Sequence, residues 1–289
     1  AKDGLIVIGI HTPEFKFEHN IVNVKQAIAD YNMDWPVIQD NSYDIWTAFD
    51  NVYWPAKYLL DKNGVIRYRH FGEGSYDKTE QWIRNLLEET DITLSSNASY
   101  LPHRQTLDPI FQETIGAEVT DELYGGYKRG CSAYAHYSNS HVDHPNYCNS
   151  KDTATLYEDP RDYKNHRLYL QGSWIVEKET LSHGTETHDL EDYMLLRYSA
   201  KSVNIVLAPA TSKPFKVVVT LDGSYLTESN KGKDIVIENN GQSFLLVNKP
   251  RLYSVVEAPQ YGTYNLKLNS NSKDFALYAF TFGVYEEGI

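Results

Sequence analysis

Residues 50–89 read DNVYWPAKYLLDKNGVIRYRHFGEGSYDKTEQWIRNLLEE, and this stretch sets the fold class of the first third of the chain. Two strand-like segments, KYLLD and IRYRHF, flank Lys62-Asn63-Gly64, and an Asn-Gly step between such segments predicts a tight hairpin turn. Beyond them apolar side chains recur at helical spacing, at Trp82, Ile83, Leu86 and Leu87. The pattern predicts a β-hairpin followed by an amphipathic helix, with Pro55 at the entry to the first strand.

The residues before this stretch alternate between strand and helix patterns. GLIVIGI (Gly4–Ile10) is a near-continuous apolar run, typical of a strand that is buried on both faces. Apolar residues at helical spacing predict an amphipathic helix over residues 21–31. WPVIQD is predicted to be a short strand, and NSYDIWTAF, which opens with an Asn/Ser cap signal, a short helix. Residues 1–90 therefore predict the order β-α-β-α-β-β-α of an α/β domain.

The pattern changes after residue 90. Residues 91–120 lack strong periodicity and are predicted to be a linker. From residue 121 onward, short apolar segments are separated by Gly, Pro, Asn, Asp and Ser, and in FKVVVTLDG the alternate residues from Phe215 to Leu221 share one face. About eight such strands without convincing helices predict a β-sandwich of jelly-roll type over residues 121–289.

Composition excludes several classes of function. The chain has 27 basic and 39 acidic residues and a formal charge of −12, which disfavours nucleic acid or an anionic membrane as a partner. No apolar run approaches the ~20 residues that span a bilayer. The N-terminus lacks a basic region and is predicted to be a core strand, so that any export signal would lie outside this sequence. Walker, G-x-G-x-x-G, G-x-S-x-G and H-E-x-x-H motifs are absent, and we expect no cofactor.

The two cysteines, Cys131 and Cys148, bracket a polar segment that contains His136, His141 and His144. We favour a disulfide, which for a loop of this size would stabilise the fold by ~3 kcal/mol. A zinc site built from the cysteines and histidines is an alternative, although the spacings match no standard zinc pattern. Free thiols are the third reading, and in none of them do these cysteines form a Cys-x-x-Cys pair.

Tyrosine is abundant in the second part of the chain, where 17 of the 23 lie after residue 90. Exposed aromatic rings can stack on sugars, but tyrosine is also a favourable strand residue. Trp174, in the middle of a predicted strand, is expected to lie in the core. Carbohydrate is therefore a candidate ligand whose site the sequence does not define.

Three strings together resemble the C-terminal extracytoplasmic part of DipZ-type proteins: GLIVIGIHTPEF, YWPAKYLLDKNGVIRYRHFGEG and LYAFTFG. Those proteins join a TlpA-like thioredoxin domain to a β-sandwich that resembles a carbohydrate-binding module. The resemblance covers nearly the whole chain and is strongest over residues 4–89 and 167–284. In that family the strand matching GLIVIGI follows the Cys-x-x-Cys helix, so the family's first strand and catalytic helix have no counterpart here.

The resemblance implies an extracytoplasmic thiol–disulfide oxidoreductase, related to cytochrome c biogenesis proteins, in the periplasm or tethered to the membrane by a segment outside this sequence. It implies thiol or disulfide protein substrates and an upstream membrane electron donor. Because the Cys-x-x-Cys pair is not in this chain, we expect the chain alone to be inactive. The alternative is a non-catalytic module that binds a glycan or another protein.

The resemblance also assigns roles to individual residues. Trp54 and Pro55 match the cis-proline loop that contacts substrate in thioredoxins, the alternative being a turn-forming proline that opens an edge strand. Glu14, in HTPEF, matches a loop glutamate that helps to move protons near the cysteines, the alternative being a solvated or helix-capping carboxylate.

A thioredoxin fold without its first strand and helix would leave one flank of its sheet uncovered, and uncovered strand edges promote association. We therefore expect the flank to be covered by the β-sandwich and the linker, through Leu101, Ile110 and Phe111, or by self-association with a second copy of the chain.

Overall fold

The computed structural model describes residues 4–90, 118–131, 141–211 and 213–283. Contacts divide the chain into an N-terminal unit, Ala1–Gln112, and a C-terminal unit, Glu113–Ile289. Within the described residues, no helix has the length and apolar character needed to cross a membrane. The predicted linker contacts Leu101, Ile110 and Phe111 lie outside the described residues.

The N-terminal unit follows the predicted order of strands and helices. Its elements are β1 (Gly9–His11), a 3₁₀ turn (Lys16–His19), α1 (Ile21–Asp30), β2 (Val37–Gln39), α2 (Asp44–Ala48), β3 (Ala56–Leu60), β4 (Ile66–Phe71) and α3 (Tyr76–Glu88). The hairpin turn between β3 and β4 is organised by Asp61, whose Oδ1 accepts hydrogen bonds from the backbone N–H of Asn63 and Val65 at 2.9 and 3.1 Å. Gly64 completes that turn at φ +80°, a value that glycine adopts without a Cβ clash.

The described strands of this unit form two separate two-stranded sheets. β1 pairs with β2 in parallel, with Ile10 opposite Ile38, and β3 pairs with β4 in an antiparallel hairpin. Strands β1 and β3 thus each have one hydrogen-bonded neighbour within the described part of the unit.

The prediction that GLIVIGI is a strand buried on both faces is wrong. The strand is limited to Gly9–His11, and the side chain of Ile6 is 78% exposed while Val7 and Ile8 are also exposed. The reason is that burial requires neighbours, and β1 has a partner strand on one edge only among the described residues. Apart from Pro13, the buried hydrophobic residues described in this unit are Phe15 and Val24, which is very little core.

The C-terminal unit is rich in strands. Its elements are β5 (Leu123–Tyr124), α4 (Tyr127–Gly130), a 3₁₀ turn (Tyr147–Asn149), β6 (Ala154–Tyr157), β7 (Arg167–Val176), β8 (Leu181–His183), β9 (Tyr193–Pro209), β10 (Phe215–Leu221), β11 (Ser224–Tyr225), β12 (Ile235–Ile237), β13 (Ser243–Val247), β14 (Arg251–Asn269) and β15 (Phe275–Gly283). All of these strands join one 11-stranded sheet.

Two long strands organise this sheet. β9 pairs with β14 along one edge, and along its other edge it pairs first with β7 and then with β15. Because β15 also pairs with β8 and β8 with β7, these four strands form a closed circuit of pairings. The segments 251–259 and 262–269 are both parts of β14, whose register shifts between Glu257 and Gly262 instead of breaking.

The core of this unit is large and follows the predicted alternation of β10, where Val217 and Val219 are fully buried. Trp174 is 0% exposed, as expected for a core residue. Its indole N–H donates to the carbonyl of Gln171 at 2.9 Å, and its ring packs edge-on against Phe275. A buried ring of this kind cannot act as a stacking platform for a sugar.

Candidate functional site

The candidate site of the N-terminal unit begins where β1 ends. Thr12 and Pro13 are buried, and Glu14 follows them in a half-buried position. The backbone N–H groups of Glu14 and Phe15 donate to the same oxygen, Oε2 of Glu18, at 2.6 and 3.1 Å. Glu18 therefore fixes the path of the loop that carries Glu14.

Glu18 is a half-buried carboxylate that was not among the predicted site residues. Burial raises its pKa and the nearby Glu14 adds to this, while the two backbone N–H groups act in the opposite direction without cancelling the increase. The available signal was its position three residues after Phe15, which is the spacing of a capping glutamate. The carboxyl groups of Glu14 and Glu18 thus both belong to the segment that follows β1.

Asp40 lies immediately after β2 and is buried. Its Oδ1 accepts from the backbone N–H of Ile45 at 3.0 Å, and its Oδ2 accepts from the N–H of Trp46 at 2.9 Å and from the hydroxyl of Thr12 at 3.1 Å. Burial raises the pKa of Asp40, but these hydrogen bonds outweigh it and hold the pKa below the usual range of aspartate. Asp40, rather than the predicted Asn41 or Ser42, supplies the acceptors at the start of α2.

The Trp54–Pro55 peptide bond is cis, and it lies just before β3. The Trp54 indole N–H donates to the carbonyl oxygen of Thr12 at 3.1 Å, which ties this loop to the end of β1. The Trp54 ring also packs on the Trp46 ring, with 4.1 Å between their centroids. The structure thereby brings the Trp54–Pro55 loop and the segment preceding Glu14 to one place.

The loop before the cis peptide presents apolar side chains to solvent. Val52, Tyr53 and Trp54 are 63%, 54% and 41% exposed. The carbonyl of Pro55 accepts from the N–H of Gly72 at 2.8 Å, so the residues after the cis bond belong to the hairpin while those before it form a surface. An apolar surface beside an extended backbone segment suits the binding of an extended polypeptide.

In the C-terminal unit, Cys131 and Cys148 form a disulfide with their Cα atoms 5.7 Å apart. Among the described residues, no group of three or more His, Cys, Asp or Glu side chains could hold a metal ion. His136 lies outside the described residues. The side chain of His144 binds the backbone instead: its Nε2 accepts a hydrogen bond from the N–H of Leu170 at 2.9 Å.

Several tyrosines of this unit lie in its buried interior. Tyr147, Tyr169 and Tyr198 are fully buried. Tyr163 and Tyr193 each donate a hydroxyl hydrogen bond of 2.6 Å to Oδ2 of the buried Asp159.

Burial and the hydrogen bond to Asp159 raise the pKa of Tyr163 to about 12 and raise that of Tyr193 further, so both phenols stay protonated at neutral pH. Lys267 covers the ring of Tyr193, with its Nζ 3.7 Å from the ring centroid. In this Asp159 cluster two aromatic rings, a carboxylate and a cation come together.

Comparison with known proteins places the C-terminal part of the chain in a family. Residues 120–283, more than half of the chain, match the family described as "Thioredoxin like C-terminal domain", and the chain belongs to that family. Protein DipZ of Mycobacterium bovis is 27% identical over 286 residues, which are 97% of this chain and 34% of DipZ. The chain therefore spans about a third of the length of that relative.

Shorter matches concern part of the chain. Thiol-disulfide oxidoreductase YkuV of Bacillus subtilis is 28% identical over 90 residues, covering 31% of this chain and 61% of YkuV. NHL repeat-containing protein 2 of Homo sapiens is 34% identical over 77 residues, covering 27% of this chain and 11% of that protein. Over different parts of its length the chain is thus similar to a protein described as a thiol-disulfide oxidoreductase and to the larger protein DipZ.

Proposed function

We propose that this chain supplies the substrate-binding part of an extracytoplasmic thiol–disulfide oxidoreductase whose Cys-x-x-Cys pair is encoded outside the sequence described here. The observation that carries the proposal is the position of the Trp54–Pro55 loop, held against the end of β1 by the hydrogen bond from the Trp54 indole to the carbonyl of Thr12. Cys131 and Cys148 are bonded to each other in the C-terminal unit and are not the redox pair of this proposal.

In this proposal the chain's own residues bind and orient the substrate. The exposed apolar surface of Val52, Tyr53 and Trp54 holds an extended substrate segment beside its cysteine. A thiolate of the separate pair attacks the substrate disulfide, one S–S bond breaks as a mixed disulfide forms, and the departing sulfur leaves as a thiolate. Glu14 or Glu18 then donates the proton that converts the departing thiolate into a thiol.

The divided sheet supports the view that another segment completes the N-terminal unit. β1 and β3 each have one partner strand among the described residues, and most apolar side chains around β1 are exposed. Edges of this kind accept a further strand, which would bury part of the surface of Ile6, Val7 and Ile8. We propose that an upstream strand, preceding the redox pair, fills this position.

The same proposal includes the cellular location of the protein and its electron donor. An extracytoplasmic location accords with the bonded pair Cys131–Cys148, because disulfides persist in oxidising compartments. A membrane electron donor would then reduce the upstream pair. For the C-terminal unit we propose a jelly-roll sandwich of the carbohydrate-binding-module type.

A second candidate function is binding of a glycan by the C-terminal unit alone. The observation that favours it is the Asp159 cluster, where Tyr163 and Tyr193 share one carboxylate and Lys267 lies on the Tyr193 ring. A saturable change in tyrosine fluorescence with oligosaccharides would support this function, and a flat titration together with a blank glycan array would contradict it.

The redox proposal is tested with two proteins. The chain described here should not reduce insulin disulfides, and the same chain extended upstream through a Cys-x-x-Cys pair should do so. In the extended protein Pro55→Ala should lower turnover, while Cys131→Ser/Cys148→Ser should leave it unchanged at a temperature where the fold persists. Turnover by the short chain that survives the double cysteine substitution, or an extended chain without activity, would contradict the proposal.

A further inference from the structure

Four contacts around Asp40 form a closed circuit through three segments of the N-terminal unit. The Asp40 carboxylate accepts from the hydroxyl of Thr12 and from the backbone N–H of Trp46. The Trp46 ring packs on Trp54 with centroids 4.1 Å apart, and the Trp54 indole N–H returns to the carbonyl of Thr12 at 3.1 Å. The end of β1, the start of α2 and the cis-proline loop thus meet through one carboxylate.

The backbone of Asp40 reinforces this circuit. Its own N–H donates to the carbonyl of His11 at 2.8 Å, directly before Thr12. Asp40 therefore bonds both to the carbonyl of His11 and to the side chain of Thr12. The carbonyl of Thr12 in turn accepts the indole N–H of Trp54. A displacement of Asp40 would move the acceptor of Trp54 as well as the ring on which Trp54 packs.

We infer that Asp40 is the positioning residue of the Trp54–Pro55 substrate loop. Asp40 does not itself form part of the proposed substrate surface, since it is only 4% exposed. It acts by fixing both supports of the Trp54 ring, the Thr12 carbonyl and the Trp46 ring. The substrate role of that loop rests on the proposed function, whereas the positioning of Trp54 by Asp40 can be measured without it.

The requirement is for a carboxylate rather than for any polar side chain. Oδ1 is used by the N–H of Ile45, and Oδ2 is used by both Thr12 and Trp46. An asparagine has one acceptor oxygen and one NH₂ donor. In either orientation its NH₂ group faces a backbone N–H, either that of Ile45 or that of Trp46, and at least one contact is lost.

The test uses the coupling between the two indole rings, which gives paired bands of opposite sign in the near- and far-ultraviolet circular dichroism spectrum. Trp46→Phe and Trp54→Phe define the signal that remains without the pair. Asp40→Asn should lose the paired bands to that level. Asp44→Asn, an exposed aspartate in α2 whose side chain accepts from Ser42, is the matched control and should retain them.

Thr12→Val and Thr12→Ser provide a second test that does not alter the carboxylate. Valine removes the hydroxyl contact to Asp40 at nearly constant shape and should weaken the coupling signal, and serine should restore it. These variants decide the question where Asp40→Asn fails to fold. A coupling signal that persists at the wild-type level in folded Asp40→Asn, or that is equal in Thr12→Val and Thr12→Ser, would overturn the inference.

The extended enzyme separates this inference from the proposed function. If both hold, Asp40→Asn should raise KM for a disulfide peptide more than it lowers kcat, because it displaces a binding loop and leaves the thiols in place. Loss of the coupling signal in a chain whose extended form has no activity would support the positioning role while contradicting the oxidoreductase proposal.

Discussion

At the scale of single residues, Glu18 combines a structural and an electrostatic role. One oxygen of Glu18 accepts both backbone N–H hydrogen bonds, so the amide oxygen of a glutamine could accept the same two without placing a charge in a half-buried position. The pKa of Glu18 is raised in the folded chain. Its contribution to stability is therefore present below the ordinary pKa of glutamate and is lost as the pH rises through the raised value.

We accordingly predict that Glu18→Gln stabilises the N-terminal unit at pH 7 and has little effect near pH 4. Glu18→Ala, which removes both acceptor contacts, should cost about 1 kcal/mol near pH 4 and less at pH 7, where it also removes the unfavourable charge. Urea unfolding followed by tryptophan fluorescence at the two pH values measures both variants. A glutamine variant that is less stable than the wild type at pH 7 would show that the charge itself is needed there.

A second residue-scale prediction concerns Gly172 in β7. Its φ is +94°, and a Cβ at this position would lie 2.0 Å from Cγ of Asp192. Asp192 accepts from the N–H of Ser173 and from Nε2 of the buried His183, so the clash would break that network.

Gly172→Ala should therefore destabilise the C-terminal unit by clearly more than the ~1 kcal/mol that a left-handed alanine costs. Gly223→Ala is the matched control, because Gly223 has φ +79° with nothing within 4 Å of its Cβ position. Thermal unfolding of the two variants measures the difference. Equal losses would mean that Asp192 can move aside at no cost.

At the scale of elements, the sequence predicted what local patterns determine. The β3–β4 hairpin follows from an Asn-Gly turn, and α3 follows from apolar spacing, so neither depends on distant residues. Asp40 could not be identified in this way, because its partner Thr12 lies 28 residues away. The exposure of β1 was also mispredicted, since an apolar run indicates strand propensity and does not supply the neighbours that bury it.

The disulfide is the element-scale feature with a direct energetic consequence. It joins the end of α4 to the 3₁₀ turn at Tyr147–Asn149 and closes a separation of 17 residues. Cys131→Ser/Cys148→Ser should lower the free energy of unfolding of the C-terminal unit by about 3 kcal/mol.

Reduction of the wild-type chain with dithiothreitol should have the same effect in a denaturant titration. The double variant should not respond to the reductant. A wild-type chain whose stability is unchanged by reduction would indicate that the link is not present in solution.

At the scale of the whole molecule, the two units differ in how much core each contains. In the described part of the N-terminal unit, Phe15, Val24 and Pro13 are the buried apolar residues, whereas the C-terminal unit buries dozens of them around Trp174 and Phe275. Burial of apolar surface is the main favourable contribution to folding, at about 25 cal/mol per Å². The C-terminal unit therefore has a core sufficient for independent folding, whereas residues 4–90 of the N-terminal unit do not provide one.

We predict that residues 113–289, expressed alone, unfold in one cooperative transition, whereas residues 1–90 do not. Limited proteolysis of the whole chain between residues 91 and 120 should release the same stable C-terminal fragment, while the N-terminal fragment aggregates or is digested further. Adding an upstream strand to residues 1–90 should restore cooperativity, because it would cover the exposed residues Ile6 and Val7 of the N-terminal unit. A monodisperse 1–90 fragment that unfolds cooperatively by itself would contradict this dependence, since a unit with so few buried residues would then need no further segment.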